Sequence, residues 1–483
     1  MTSLLNERVF YYFEKISAIP RESGNEMAVS NWIYDWTKTL GLEAAQDAAF
    51  NLVIRKKASA GYETAAPVIL QAHMDMVCEK TLESSHDFSR DPILLKTEGD
   101  WLMSACGTTL GADNGIGVAC AMAILEDQLL VHPPLEVIFT VEEETTFKGA
   151  NAVAANVFTG RRMINLDHAD DGELVAGSCG GTGVSVVMPL EWEKEVPNGY
   201  TAFKVKIGGL EGGHSGEDIH RGRGNANQLL VRFLQRLNGY GCKVCSICGG
   251  TNRLAICREA EAVVLADSEE KLRSLAEEMQ AVYRKEFGQA APRLDMKVEN
   301  VSEETMILPL KAGQFTRIAS MVRLFPDGIL GMSGELTGQV NSSDNLGILR
   351  TCHEKQELQI TSEIRGMYQS MVEDTREKIN MLADLMGAKV EYFADYVPWE
   401  YAADSRLRST ALSLYQEMYG ESMRVSTVHA GLEGGMFTEK APGMDIISVG
   451  PSCQFFHSPL ERVSISSVRK FYGFLKALLA ELE

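Results

Sequence analysis

Five short segments set histidines and carboxylates just past apolar stretches. They are Gln71-Ala72-His73-Met74-Asp75, Gly111-Ala112-Asp113-Asn114-Gly115, Glu142-Glu143-Glu144, Asn165-Leu166-Asp167-His168 and Phe456-His457-Ser458. Together they offer the imidazole and carboxylate donors that two neighbouring divalent cations need, with a carboxylate to spare as a base. That inventory points to hydrolysis rather than to binding alone. In an extended His73-x-Asp75 both side chains share a face, so His73 can bind a cation while Asp75 fixes its ring. Asp113 lies in a glycine-rich turn that opens a helix; its two oxygens can bridge two cations, although taken singly it reads as a helix N-cap. Three adjacent acids at 142–144 repel one another at a strand exit, and a cation removes the penalty; singly they read as a solvated strand end. His214, in Gly212-Gly213-His214-Ser215-Gly216, stands in a loop from which it can donate to a substrate oxygen as charge develops there. An incidental turn histidine is the plain alternative. It is the joint pattern that outweighs the separate structural readings.

The elements that would position these groups follow from periodicity. Residues 5–18 and 25–40 read as amphipathic helices, 67–72, 135–141 and 162–166 as buried strands, and 115–126 as a buried helix. This alternation predicts an α/β fold with a mixed, largely parallel sheet sandwiched by helices. In such sheets ligands gather past the carboxyl ends of strands, which is where His73, Glu143, Glu144 and Asp167 fall. The pattern changes after about residue 187. Strand 201–207, helix 225–238, strands near 251–257 and 261–266, helix 268–287 and strand 292–300 give a β-α-β-β-α-β order, the ferredoxin-like arrangement. A looser second round follows, with helix 312–324, strands near 335–340 and 356–363, helix 367–386 and strand 389–393. Helix 405–419, strand 445–449 and a closing helix 464–482 resume the first texture. The expected organisation is a split catalytic domain, 1–187 and 397–483, with an inserted ferredoxin-like α+β domain, 188–396, as lid or dimerisation domain.

The 483 residues carry a net charge of −20, with 45% hydrophobic and 23% charged residues. An acidic chain without clustered Lys and Arg disfavours nucleic-acid and anionic-membrane roles. No run of about 18 apolar residues suggests a transmembrane helix, and residues 1–8 do not read as a signal peptide. Ten cysteines in a chain of this length fit a reduced, cytoplasmic protein. Cys242, Cys245 and Cys248 form a Cys-x-x-Cys-x-x-Cys run, but Cys257 falls in an apparent strand and no fourth ligand follows, so the run is read as structural.

The segments at 71–77, 107–117, 212–220 and 429–433 (His-Ala-Gly-Leu-Glu) resemble the M20 metallopeptidases and, among them, the aminoacyl-histidine dipeptidases. The similarity runs over nearly the whole chain. It implies the zinc-exopeptidase type of fold and hydrolysis of dipeptides of broad specificity, Xaa-His such as β-alanyl-histidine included. It implies two divalent metal ions, zinc first and cobalt or manganese as alternatives. Asp113 would bridge them, His73 and Asp167 would complete one site, and Glu144 and His457 the other. Glu143 would be the general base, Asp75 would orient His73, and His214 would reach the active site from the inserted domain. In dimeric relatives that histidine comes from the partner subunit, so a homodimer through the inserted domain fits the resemblance. Arg365 and Gly434 are the candidates for holding the substrate's terminal carboxylate. Glu142 stands where the family usually has Asp, and Gly149-Ala150 supports Glu143 as the base. An N-acyl amino acid deacylase or amidohydrolase of the same superfamily is the alternative activity.

Overall fold

The computed structural model describes residues 4–301 and 308–483. The chain forms two compact units. The first runs to Ser178 and takes in Tyr401–Thr427 and Leu432–Glu483; the second comprises Cys179–Glu400 with Val428–Gly431.

An eight-stranded sheet organises the first unit, in the spatial order Glu43–Gln46, Leu52–Lys56, Leu135–Thr140, Val68–His73, Arg162–Asn165, Asp445–Ser448, Glu173–Ser178, Arg424–Val428. Its four central strands, Leu135–Thr140 to Asp445–Ser448, are mutually parallel. Every residue of Val68–His73 and Leu135–Thr140 is buried, as largely apolar strands covered on both faces should be. Helices Arg8–Ser17, Ala112–Glu126 and Ile465–Glu481 share one hydrophobic core with these strands. Ala112–Glu126 has apolar or small residues all round, which suits a helix enclosed on every side. A separate four-stranded sheet joins Leu95–Glu98, Trp101–Ser104, Arg462–Ser464 and Cys453–Gln454. His457 lies in the loop between its last two strands.

The second unit is built on one antiparallel sheet. Its spatial order is Asp295–Asn300, Thr201–Gly208, Ala260–Ala266, Lys243–Gly249, Val340–Cys352, Glu357–Gly366, Gly180–Pro189, Lys389–Tyr396. Thr201–Gly208, Lys243–Gly249, Ala260–Ala266 and Asp295–Asn300, with helices Ala226–Asn238 and Glu269–Phe287, make a ferredoxin-like half. Gly180–Pro189, Val340–Cys352, Glu357–Gly366 and Lys389–Tyr396, with helices Gln314–Leu324 and Gln369–Met386, repeat the order, and the first half is inserted after the opening strand of the second. The halves meet where Cys248 and Gly249 pair with Arg350 and Leu349.

Two sequence expectations are corrected. The strand expected at 251–257 is a loop, Cys257 included, and the strand in its place is Lys243–Gly249. The strand expected near 335–340 is instead a hairpin of Gly328–Met332 with the long Val340–Cys352. The second unit opens at Cys179, and Gly180–Pro189 pairs along its whole length with Glu357–Gly366. Among the described residues no helix is long and apolar enough to cross a membrane.

Candidate metal centre

Three parallel strands end at the same edge of the first unit's sheet, and each delivers its acid or imidazole at its last residue or within four residues beyond it. His73 is the last residue of Val68–His73, Glu143 and Glu144 open the turn after Leu135–Thr140, and Asp167 follows Arg162–Asn165. Asp113 enters from the start of Ala112–Glu126, at a point where the backbone is not yet helical (φ −77°, ψ 112°). His457 arrives on its loop with φ +58°, and Glu142 turns the chain with φ +52°. A left-handed backbone at a non-glycine residue costs on the order of 1 kcal/mol or more and collects at functional sites.

The five donors form two sets that share Asp113. Its Oδ1 lies 3.2 Å from His73 Nε2, which is also 3.2 Å from Asp167 Oδ1. Its Oδ2 lies 3.3 Å from His457 Nε2, itself 3.0 Å from Glu144 Oε2. Donor atoms about 2.0–2.2 Å from a cation stand roughly 3.0–3.5 Å from one another, so both sets have the spacing a bound cation would impose. Asp167 Oδ1 is buried with no hydrogen-bond donor among the described residues. Glu143 reaches the same place, with donor atoms of His73, Glu143 and Glu144 within 4.8 Å of one another. Asp75, fully buried, lies 3.3 Å from His73 Nδ1. Its carboxylate accepts Glu143 N at 3.1 Å, Glu144 N at 3.2 Å and Ser23 Oγ at 2.8 Å. One side chain thus lies beside the imidazole and accepts from the acidic turn.

The electrostatics fit the same occupants. Burial raises Glu143 well above the usual carboxylate range, as do nearby Asp167, Glu144 and Glu433, with His73 opposing. Burial likewise pushes Asp167 up to about 7. Burial opposes charge on His457, yet its contacts with Asp113 and Glu144 push it up to about 11. Carboxylates packed this closely in a buried place need positive charge, and two divalent cations would supply it. The residues fit the group. Among the described residues no cysteine joins a set able to hold a cation.

The other sequence-derived candidates divide between the units. Gly434 is in the first, as the buried opening residue of helix Gly434–Lys440. His214 and Arg365 are in the second. His214 Nδ1 accepts from Gly216 N and Glu217 N at 3.3 and 3.1 Å, which leaves the ring proton on Nε2. Burial first, and Arg365 next, lower its pKa to about 4, so the ring is neutral at ordinary pH. Arg365 is buried and donates to Tyr396 Oη at 2.8 Å and Ser215 Oγ at 3.2 Å.

A second layer under the donors escaped the sequence reading. Glu433, 2% exposed, accepts Gln71 Nε2 at 2.5 Å and Thr140 Oγ1 at 2.8 Å. Gln71 Oε1 in turn accepts Asn165 Nδ2 at 2.5 Å. Gln71 stands two residues before His73 and Asn165 two before Asp167, so each shares a strand face with its donor. A polar residue at that offset inside an apolar strand was the signal available.

A family model described as peptidase family M20/M25/M40 matches residues 69–481. The cytosol non-specific dipeptidase of Escherichia coli (strain K12) is 36% identical over 486 residues, covering 100% of this chain and 99% of that one. Among solved structures, aminoacylhistidine dipeptidase from Vibrio alginolyticus superposes with a TM-score of 0.89 at 34% identity, covering 99% of this chain and 96% of that one. The aminopeptidase PepT of Bacillus cereus gives a TM-score of 0.57 at 14% identity, over 98% of both chains, a likeness of fold alone.

Proposed function

The chain belongs to peptidase family M20/M25/M40 and is a hydrolase acting on peptide bonds, and from that premise we propose that it cleaves dipeptides with a pair of divalent cations. The observation that carries this reading is the two-sided use of Asp113, one oxygen toward His73 and Asp167 and the other toward His457 and Glu144. Cations held there, zinc first by donor type and manganese or cobalt as alternatives, would act as Lewis acids on the peptide carbonyl and lower the pKa of a water. Glu143 takes the proton of the attacking water and hands it to the leaving amine. Its raised pKa makes its carboxylate a stronger proton acceptor than an ordinary one. Asp75 keeps His73 and the acidic turn in place throughout. His214 Nε2–H, from this chain or from a second copy, donates to the carbonyl oxygen as negative charge grows on it. Arg365 and the backbone at Gly434 are the proposed partners of the substrate's carboxylate. The inserted domain, 188–396, is proposed as the lid or dimerisation domain. The relatives' names favour dipeptides, and Xaa-His dipeptides among them.

The test is hydrolysis of a panel after chelation and re-addition of zinc, manganese or cobalt. It comprises β-alanyl-histidine, glycyl-histidine, alanyl-alanine, a tripeptide and an N-acetyl amino acid. Metal-restored cleavage of the dipeptides alone supports the reading and ranks the side chains. Cleavage of the acetylated compound alone moves the activity to a deacylase, and no cleavage with any cation overturns it.

A further inference from the structure

Two buried ionic side chains outside the donor sets close around the turn that carries Asp113. Glu461 is 2% exposed. Its Oε2 accepts Leu110 N and Gly111 N at 2.7 and 2.9 Å, and its Oε1 accepts Ala112 N and Asp113 N at 2.8 and 3.3 Å. Four consecutive amides therefore converge on one carboxylate. On the carbonyl side, Arg21 is also 2% exposed. Its Nη1 donates to Met74 O and Asp75 O at 2.9 and 3.1 Å, and its Nη2 to Gly111 O. Gly111 has φ +72°, and a Cβ there would collide with Arg21 and Met76.

The first amides of a helix ordinarily find an acceptor in an N-cap side chain. Helix Ala112–Glu126 has none, since its N-cap is Gly111. The acceptor comes instead from the far end of the chain. That matters for Asp113, whose φ and ψ lie outside the helix, so no regular i to i−4 bond sets its direction. A carboxylate with one oxygen on each of two donor sets tolerates little rotation. Glu461 also lies four residues past His457, so the same carboxylate ties the His457 loop to the Asp113 turn. Arg21 ties that turn to the segment of His73 and Asp75.

We propose that Glu461, backed by Arg21, is the positioning residue for the shared carboxylate. It locks Asp113 and His457 to one anchor and so sets the separation of the two cation sites. The inference rests on the reading of Asp113 and His457 as cation ligands. Loss of the anchor should weaken the Asp113–Glu144–His457 site more than the His73–Asp167 site, which rests on strand ends.

The experiment is stepwise titration of the chelated full chain with zinc or cobalt, by calorimetry and by the cobalt visible spectrum, alongside thermal unfolding of the cation-free chain. Wild type should bind two cations; if it binds fewer, the ligand reading and the anchor both fall before any variant is compared. Glu461→Gln keeps size but cannot accept four amides with both ends. It should weaken one of the two steps by about 10–100-fold and change the cobalt spectrum of that site. Glu461→Asp, still a carboxylate, should recover part of the loss. A merely structural role predicts a lower Tm with both affinities and the spectrum unchanged, and that result overturns the proposal. If Glu461→Gln does not fold, Arg21→Lys decides. It keeps the charge but loses the two-armed grip, and should weaken binding in the same way; unchanged affinities there also overturn the proposal.

Discussion

Glu143 and His214 are pushed in opposite directions by their surroundings, and that separation gives each its proposed part. Burial and neighbouring acids raise the Glu143 carboxyl, which strengthens its carboxylate as the proposed base. Burial and Arg365 lower the His214 imidazole to about 4, which makes it a neutral donor. Glu143→Ala should therefore cut kcat by about 10²–10⁴-fold while two cations still bind, read by turnover beside metal content. Turnover at the wild-type rate would remove Glu143 as the base. His214→Ala should cut kcat by about 10²–10³-fold, again with cation content unchanged. The sign of the His214 shift adds a pH test. A lowered histidine carries charge only below its folded pKa, so from pH 5 upward the ring is neutral and its donation is constant. The kcat–pH profile of His214→Gln should keep the wild-type shape between pH 5 and 9; an inflection lost with the imidazole would show that it titrates in turnover instead.

Strand ends place His73, Glu144 and Asp167, and they also decide what could be read from the chain beforehand. Val68–His73 and Leu135–Thr140 are largely apolar and wholly buried, so their ends, and the donors at or just beyond them, were legible from composition and position alone. The same strands make a clean stability test. Leu70 faces the core and is fully buried, and Leu70→Ala should cost about 2–5 kcal/mol by denaturant unfolding. A cost under about 0.5 kcal/mol, the range of ordinary surface changes, would mean that this strand does not carry the core. The second unit was harder because its strands break the usual signals. Gly180–Pro189 opens with glycines, and at Gly181 a Cβ would strike Ile364 O and the Tyr396 ring. Close backbone approach there removes the β-branched residues that mark a strand. Val340–Cys352 carries Ser342, Ser343, Asp344 and Asn345 in its buried half. Asn345 donates to Arg253 O and Ala255 O, and Ser343 pairs with His429, bonds that sequence cannot supply. Residues 251–257 look apolar enough for a strand, yet they serve as the loop whose Ala255 bridges to His214. Glu433 and Glu461 were invisible for a related reason: both act through backbone or strand partners hundreds of residues away.

At the scale of the whole chain, the five proposed ligands all belong to the first unit and none to the second. Cation binding is then folding free energy for one unit only. A ligand at about 1,000 times its dissociation constant stabilises the state that binds it by about 4 kcal/mol. For a unit of this size 1 kcal/mol moves Tm by about 2–4 °C, so chelation should lower the first unit's transition by roughly 8–16 °C. The second unit has its own sheet and core and should hold its transition in place. Calorimetry with and without a chelator reads both at once. Two transitions, of which one moves and returns when zinc is restored, is the expected result. If neither moves, the acids and imidazoles around Asp113 are not a cation site, and the peptidase chemistry proposed for them fails with it. If a single transition moves as a whole, the units unfold together, and the contact-defined division is not a division in stability. The same scan on Glu143→Ala separates base from ligand: a residue that only moves protons should leave the zinc-dependent shift intact, whereas Asp113→Ala, which removes the shared donor, should abolish most of it.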